Sequence, residues 1–230
     1  QFDIKEGIGG RFCVMTYPCF VTIAVLGGDI EAFLQGAREM DEYCRQAELA
    51  ENPALFNALL KFLAYGKGRD IEVFMPYSMH LKSLSEWYVQ LLAESLGKRR
   101  DRNGRIVNYG RTPIVAVGTT DMHAQTQQHQ EGRLNKVVQF LEVADPEEQA
   151  VVHNPFKDVA FFDKYEGLDM NKALKIALAA NEAALTSDNR YNARFTLPRL
   201  NEYMLGQLMY FLMLSVAYEG ELADVDAYDQ

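Results

Sequence analysis

Apolar and polar positions along the chain fall into two repeating patterns, one of helical period and one of short apolar runs. Leu81, Leu84, Trp87, Tyr88, Leu91 and Leu92 recur at helical spacing and predict an amphipathic helix that stops at Gly97. The basic cluster Lys98-Arg99-Arg100 that follows suits the negative end of that helix's dipole. Upstream, an apolar segment from Val14 to Leu26 is closed by Gly27-Gly28, and Asp29 is a good N-cap for a helix to about Cys44. Asn52 caps a second helix with Pro53 in its first turn, ending at Gly66-Lys67-Gly68. Downstream, helices are predicted from about Met122 to Gln130, over Leu168–Leu185, and from an Asn201 cap to about Tyr218.

Short β-rich runs punctuate these helices. Ile71–Met75, Pro113–Val117, Val137–Val143 and Tyr191–Thr196 read as strands. The stretch from Asp101 to Thr112 is polar, with Asn103-Gly104 as a turn signal, and Asp145 to Lys164 reads as an irregular excursion or lid. Strands separated by helices predict an α/β fold with a mostly parallel sheet covered on both faces. Met204, Met209 and Met213 in the last helix read as core filler.

Composition narrows the function classes. The chain has 230 residues, 48% hydrophobic and 11% aromatic, enough for one substantial domain. Its net charge of −9, with no long basic stripe, argues against nucleic-acid binding. Cys13, Cys19 and Cys44 form no close metal-ligand pair and no disulfide framework, which suits a reducing compartment. No apolar run reaches the roughly 18 residues of a membrane span, and no signal peptide opens the chain. The expectation is a soluble cytoplasmic protein. A start at Gln1 and a stop at Tyr228-Asp229-Gln230 are expected of a piece of a longer polypeptide.

Four places carry candidate chemistry. Glu94 lies near the Trp87 face of its helix, one turn beyond Gln90. A carboxylate at the rim of an apolar stripe, beside an amide, is a candidate general base; the alternative is a solvated last-turn glutamate. Gly9-Gly10-Arg11-Phe12 lets backbone approach a ligand closely and presents a positive fork to oxyanions, or it is a surface turn. Gly118-Thr119-Thr120-Asp121-Met122-His123 follows a strand. It places a helix N-terminus and a first-turn histidine at the carboxyl edge of the sheet, where open α/β folds bind ligands; the alternative is a capping turn with an incidental histidine. His80, His129 and His153 have no motif around them. Gln230, at the very end of the sequence, offers an amide able to bind a hydroxyl, and its spacing alone points to no role.

Taken in order, these segments resemble the glucose-6-phosphate isomerase family over nearly the whole chain. Glu6-Gly7-Ile8-Gly9-Gly10-Arg11-Phe12 resembles its first signature, and Glu86-Trp87-Tyr88 through Gln90, Glu94-Ser95 and Gly97-Lys98 its catalytic helix. Gly118–His123 with Gln130-Glu131-Gly132 resembles the bacterial-type histidine segment. Leu197-Pro198, Leu200-Asn201-Glu202-Tyr203, Leu205-Gly206 and Tyr228-Asp229-Gln230 resemble the approach to the C-terminal signature.

The resemblance implies a three-layer α/β/α sandwich of the flavodoxin-like, sugar-isomerase type for residues 1–230, as one domain of a two-domain enzyme. It implies interconversion of glucose 6-phosphate and fructose 6-phosphate through a cis-enediol, with no metal or organic cofactor. Glu94 would be the base, Arg11 would stabilise enediol charge, and His123 would assist ring opening. Gly10, Gln90 and Gln230 would bind substrate. The family is homodimeric, and the matching histidine serves the neighbouring subunit.

Three segments depart from the family pattern: Cys13 in place of Ser or Thr, Ala223 in place of a larger apolar residue, and Tyr17-Pro18-Cys19-Phe20 in place of an aliphatic run. The family's Ser/Thr-rich phosphate loop belongs to the preceding domain, and its functional lysine lies beyond Gln230. The chain alone is therefore expected to turn over little or nothing. The alternative is a non-catalytic sugar-phosphate-binding regulator, since one fold serves many functions.

Overall fold

Asp29 and Asn52 each cap a helix as their side chains allow. The computed structural model of the chain describes residues 7–146 and 148–228. A 3-10 turn at Gly10–Met15 leads into α1 (Tyr17–Val25), which buries no residue and leaves Val25 and Leu26 exposed. The Asp29 carboxylate accepts from the Ala32 amide at the start of α2 (Ile30–Cys44), and Asn52 accepts from Leu55 at the start of α3 (Pro53–Gly66). β1 (Ile71–Pro76) and α4 (Lys82–Leu96) follow.

After α4 the basic cluster departs from expectation. Lys98–Arg100 does not cap the helix dipole but forms β2, paired antiparallel with β3 (Ile106–Tyr109) around Asn103-Gly104, where Gly104 has φ +81°. Pairing took precedence because Gly97 ends the helix in a non-left-handed conformation and leads directly into extended chain. Next come β4 (Thr112–Val115), α5 (Thr120–Glu131) and β5 (Lys136–Val143). The expected excursion holds a 3-10 turn at Ala160–Tyr165 and is closed by a bridge between Val151 and Asp169. Asp169 caps α6 (Met170–Ser187), then β6 (Tyr191–Leu197) leads to α7 (Glu202–Leu222), which the Asn201 side chain caps at Met204 and which runs one turn past the expected end.

β4, β1, β5 and β6 form one parallel sheet in that order. Strand side chains alternate, so each face meets a different helical layer. Phe74 and Leu141 face a core shared with Leu91, Leu92, Leu212 and Val216 of α4 and α7. Val73, Met75, Val138 and Phe140 face Leu178 and Leu185 of α6, with Met122 of α5 against them. The result is a three-layer α/β/α sandwich.

Two glycines bring α2 and α7 into backbone contact. A Cβ on Gly36 would lie 1.9 Å from the Tyr203 carbonyl oxygen, and one on Gly206 would lie 2.0 Å from that of Phe33. No side chain fits at either crossing point.

The α4–α7 face also buries an ion network. Lys61 donates to Glu72 at 2.8 Å, Arg111 Nε to Glu72 at 3.0 Å, and Arg111 forks onto Glu219. Tyr88 and Tyr109 donate their hydroxyls to Glu72 and Glu219 at 2.6 and 2.8 Å. Burial alone would raise the Glu72 carboxyl, but the Lys61 and Arg111 charges outweigh it and hold it down to about 2. Two cations and two carboxylates balance, and the tyrosines take up further acceptors.

Candidate active site around Arg11 and Glu94

Glu94 sits in the last turn of α4 because Leu91, Leu92 and Ser95 turn into the core and roll positions 90 and 94 outward. Its side chain is 44% exposed, whereas Arg11, from the 3-10 turn near the start of the chain, is fully buried beneath it. Arg11 Nη1 lies 3.3 Å from Glu94 Oε2. Gln90 Nε2 donates to the other carboxylate oxygen at 3.0 Å, so both oxygens of Glu94 are oriented.

The guanidinium is fixed on every side. Nε donates to Ser95 Oγ at 2.8 Å and Nη2 to the Ala227 carbonyl at 2.9 Å, while the Trp87 indole donates to the Arg11 carbonyl at 3.0 Å. Phe12 lies 5.3 Å from the guanidinium carbon and stacks on Tyr228 at 5.0 Å. Ser95, Glu94 and the Ala227 carbonyl take up the donors of the fork, and Arg11 itself lies buried rather than in a surface turn. Ser95 and the Ala227 carbonyl were not singled out from the sequence; Ser95 adjoins Glu94, but a backbone acceptor 216 residues from Arg11 leaves no sequence signal.

Gly10 is exposed, has negative φ, and a Cβ there would meet nothing within 4 Å among the described residues. Among the described residues no packing contact and no positive φ requires glycine at this position. Gln230 lies outside the described residues, but Ala227 and Tyr228 bring the chain to Arg11 and Phe12.

His123 does not join this group within one chain. It is exposed in the first turn of α5, and its amide donates to Thr119 at 3.2 Å. α5 covers the sheet face opposite α4. The two residues also lie at opposite edges of the sheet. α4 returns the chain toward the start of β4: a Cβ on Gly110 would lie 3.0 Å from Gly97 Cα, and Thr112 pairs with Ile71 at the amino edge. His123 follows β4 at the carboxyl edge. Gly118 at that edge approaches the Tyr77 ring, which a Cβ would meet at 2.6 Å. His129, on the same helix, is buried, and burial together with Lys136 pushes its imidazole below the usual range. No group of three or more His, Cys, Asp or Glu among the described residues is arranged to hold a metal ion. No helix is long and apolar enough to cross a membrane among the described residues.

Comparison with known proteins bears on this geometry. Residues 1–230 match the family model described as phosphoglucose isomerase. A glucose-6-phosphate isomerase of Carboxydothermus hydrogenoformans is 39% identical over 229 residues, covering 100% of this chain and 49% of that protein. One from Methanocaldococcus jannaschii is 33% identical, with 100% of this chain and 54% of that protein covered. A crystal structure of a Thermus thermophilus protein described as hypothetical superposes with a TM-score of 0.90 at 34% identity, covering 99% of this chain and 53% of that one. The chain spans about half the length of the curated relatives it matches.

Proposed function

Since this chain belongs to the phosphoglucose isomerase family, we propose that it is one sugar-isomerase-type domain of a longer, cytoplasmic, homodimeric enzyme that interconverts glucose 6-phosphate and fructose 6-phosphate. The observation that carries the reading is the junction of Arg11 and Glu94, 83 residues apart, with Gln90 on the second carboxylate oxygen.

Glu94 is the proton carrier. Its half-exposed carboxylate takes the proton from C2 of the open-chain aldose; the C–H electrons form the C1–C2 double bond, the C1 carbonyl π pair moves onto its oxygen, and that oxygen takes a proton from solvent water to give the cis-enediol. The same carboxyl then returns its proton to C1, which the C1–C2 double-bond pair bonds, while the C2 hydroxyl gives its proton back to solvent and its O–H electrons form the C2 carbonyl. Arg11 stays cationic throughout and lowers the cost of negative charge on the enediol oxygens. Gln90, Gln230 and the backbone at Gly10 hold the sugar. His123 serves ring opening in the neighbouring subunit, a role supported by its exposure and by a topology that separates it from Glu94 of its own chain.

The test is solvent-deuterium exchange into substrate by the full-length enzyme carrying Glu94→Gln. Exchange should vanish while folding and sugar-phosphate binding persist; retained exchange refutes the assignment. The 230-residue chain, assayed beside the full-length protein, should turn over little or not at all.

A further inference from the structure

The hairpin that follows Glu94 is fastened to the turn that carries Ala227. Gly97 ends α4 just after Glu94, and β2 and β3 then run out and back around Asn103-Gly104. Asp101 folds the tip: its side chain, 2% exposed, accepts from the Asn103 and Arg105 amides at 2.9 Å each and from Arg105 Nε at 2.6 Å. The folded tip presents Arg102 and Asn103 to the end of α7, 119 and 121 residues away along the chain.

Arg102 forks onto both carboxylate oxygens of Glu221, with Nη1 2.6 Å from Oε2. Its amide donates to the Asp224 carbonyl at 2.8 Å. Asn103 Nδ2 donates to the Asp224 carboxylate at 2.6 Å, and Arg105 lies 3.6 Å from the same oxygen. Both acceptors stand where helix and turn alone disfavour them. Glu221 sets a negative charge in the last turn of α7, which has no basic residue of its own, at the negative end of the helix dipole. Asp224 holds φ +56°, a left-handed conformation that glycine adopts at less cost. An aspartate there offers the hairpin a carboxylate, which glycine lacks.

Beyond Asp224 the chain has little slack. Val225 and Ala227 are buried, and the Val225 amide donates to the Gly220 carbonyl at 2.9 Å. A Cβ on Gly220 would lie 2.9 Å from Ala227 Cβ, so the segment rests directly on the helix. The Ala227 carbonyl then meets Arg11 Nη2 at 2.9 Å, and Tyr228 stacks on Phe12.

We propose that Arg102 and Asn103 are positioning residues for the isomerase reaction. Neither touches Arg11; by fixing the turn at Asp224 they fix the Ala227 carbonyl, which in turn holds the Arg11 guanidinium in the orientation the enediol oxygens require. The inference rests on the isomerase reading of this site. Because β2 continues directly from α4, the hairpin also sets this turn relative to Glu94, so base and cation are held as one body. Arg102 and Glu221 side chains are 38 and 57% exposed, and such a pair adds little to global stability. The fork, the amide and the carboxylate bonds on a single turn constrain its place instead.

The test uses the full-length protein with Arg102→Ala, with Asn103→Ala, and with the charge swap Arg102→Glu plus Glu221→Arg beside its two single changes. Arg102→Ala should lower kcat about tenfold or more, and Asn103→Ala by less, with the unfolding midpoint nearly unchanged. KM should stay within about threefold, because Arg11 acts on charge that develops in the transition state. The swap restores an opposite-charge pair and should return most of the kcat that either single change removes. Amide exchange at residues 225–228 should quicken in Arg102→Ala while that of α4 stays as in the wild type. Unchanged kcat in both alanine variants, an effect on KM alone, or lost kcat with unaltered exchange at 225–228 overturns the inference. So does a loss that follows a lowered midpoint and disappears on cooling, which would make the hairpin merely a stabilising element. A wild-type full-length protein without turnover removes the isomerase reading, while faster exchange in Arg102→Ala leaves the clamp on Ala227 standing.

Discussion

Arg11 Nη1 stands 3.3 Å from Glu94 Oε2, one partner fully buried and the other 44% exposed. This asymmetry divides the labour of the site. The arginine is a fixed structural charge, and the carboxylate is the part a ligand can reach. Arg11→Ala should leave Ser95 and the Ala227 carbonyl without their donor and open a cavity, costing about 2–4 kcal/mol of stability. Arg11→Lys keeps the charge but cannot reach three partners with one ammonium. It should fold better than the alanine variant yet lose most turnover in the full-length enzyme. Denaturant unfolding and steady-state assays on both variants check this; full turnover with lysine would remove the geometric role.

The separation of His123 from Glu94 in one chain makes a complementation experiment decisive. On the proposed homodimeric reading, the full-length Glu94→Gln and His123→Ala variants should each be nearly inactive. If each site takes its imidazole from the neighbour, mixing the two and allowing exchange creates heterodimers with one intact site. Statistical exchange should restore roughly a quarter of wild-type activity. No recovery, with heterodimers verified by mass, would place the histidine and the acid in the same subunit's site.

Gly36→Ala or Gly206→Ala should destabilise the domain by upwards of about 3 kcal/mol, because the added methyl meets a carbonyl oxygen across the helix crossing and the helices must part. Gly10→Ala should leave the unfolding midpoint nearly unchanged while weakening substrate binding. Calorimetry of the three variants separates the packing glycines from the proposed ligand-facing one.

The buried network sets the acid limit of the fold. Glu72 is held near 2, below its ordinary value near 4.5. A carboxyl depressed in the folded state stabilises it fully above the unfolded value, and that stability is lost as pH falls through the folded value. Stability should thus decline by a few kcal/mol between about pH 4.5 and 2. Glu72→Gln should flatten this segment of the pH curve and lower stability at neutral pH, because Lys61 and Arg111 lose a counter-charge. Urea titrations from about pH 7 to 2 measure both effects.

Local sequence determined most of the secondary structure. Asp29, Asn52 and Asn201 are short polar side chains directly before apolar-periodic runs, and each caps the helix it precedes. Short β-rich runs between turn signals also marked the four strands of the parallel sheet, and helical period put Gln90 and Glu94 on neighbouring turns, since these are properties of a few adjacent residues. Lys98–Arg100 escapes such a reading because a strand of three residues is too short to have a period, and its partner lies across a turn.

Only the tertiary structure decided what Arg11 does. Sequence supplied a cation after two glycines, and folding buried it by bringing Ser95 and the Ala227 carbonyl to its donors from 84 and 216 residues away. The burial of Lys61 of α3 against Glu72 and the placement of His123 across the sheet from Glu94 are likewise products of packing. Spacing fixes what lies on one face of one helix; which face meets protein, solvent or another polypeptide depends on burial and hydrogen bonding between segments distant in the chain.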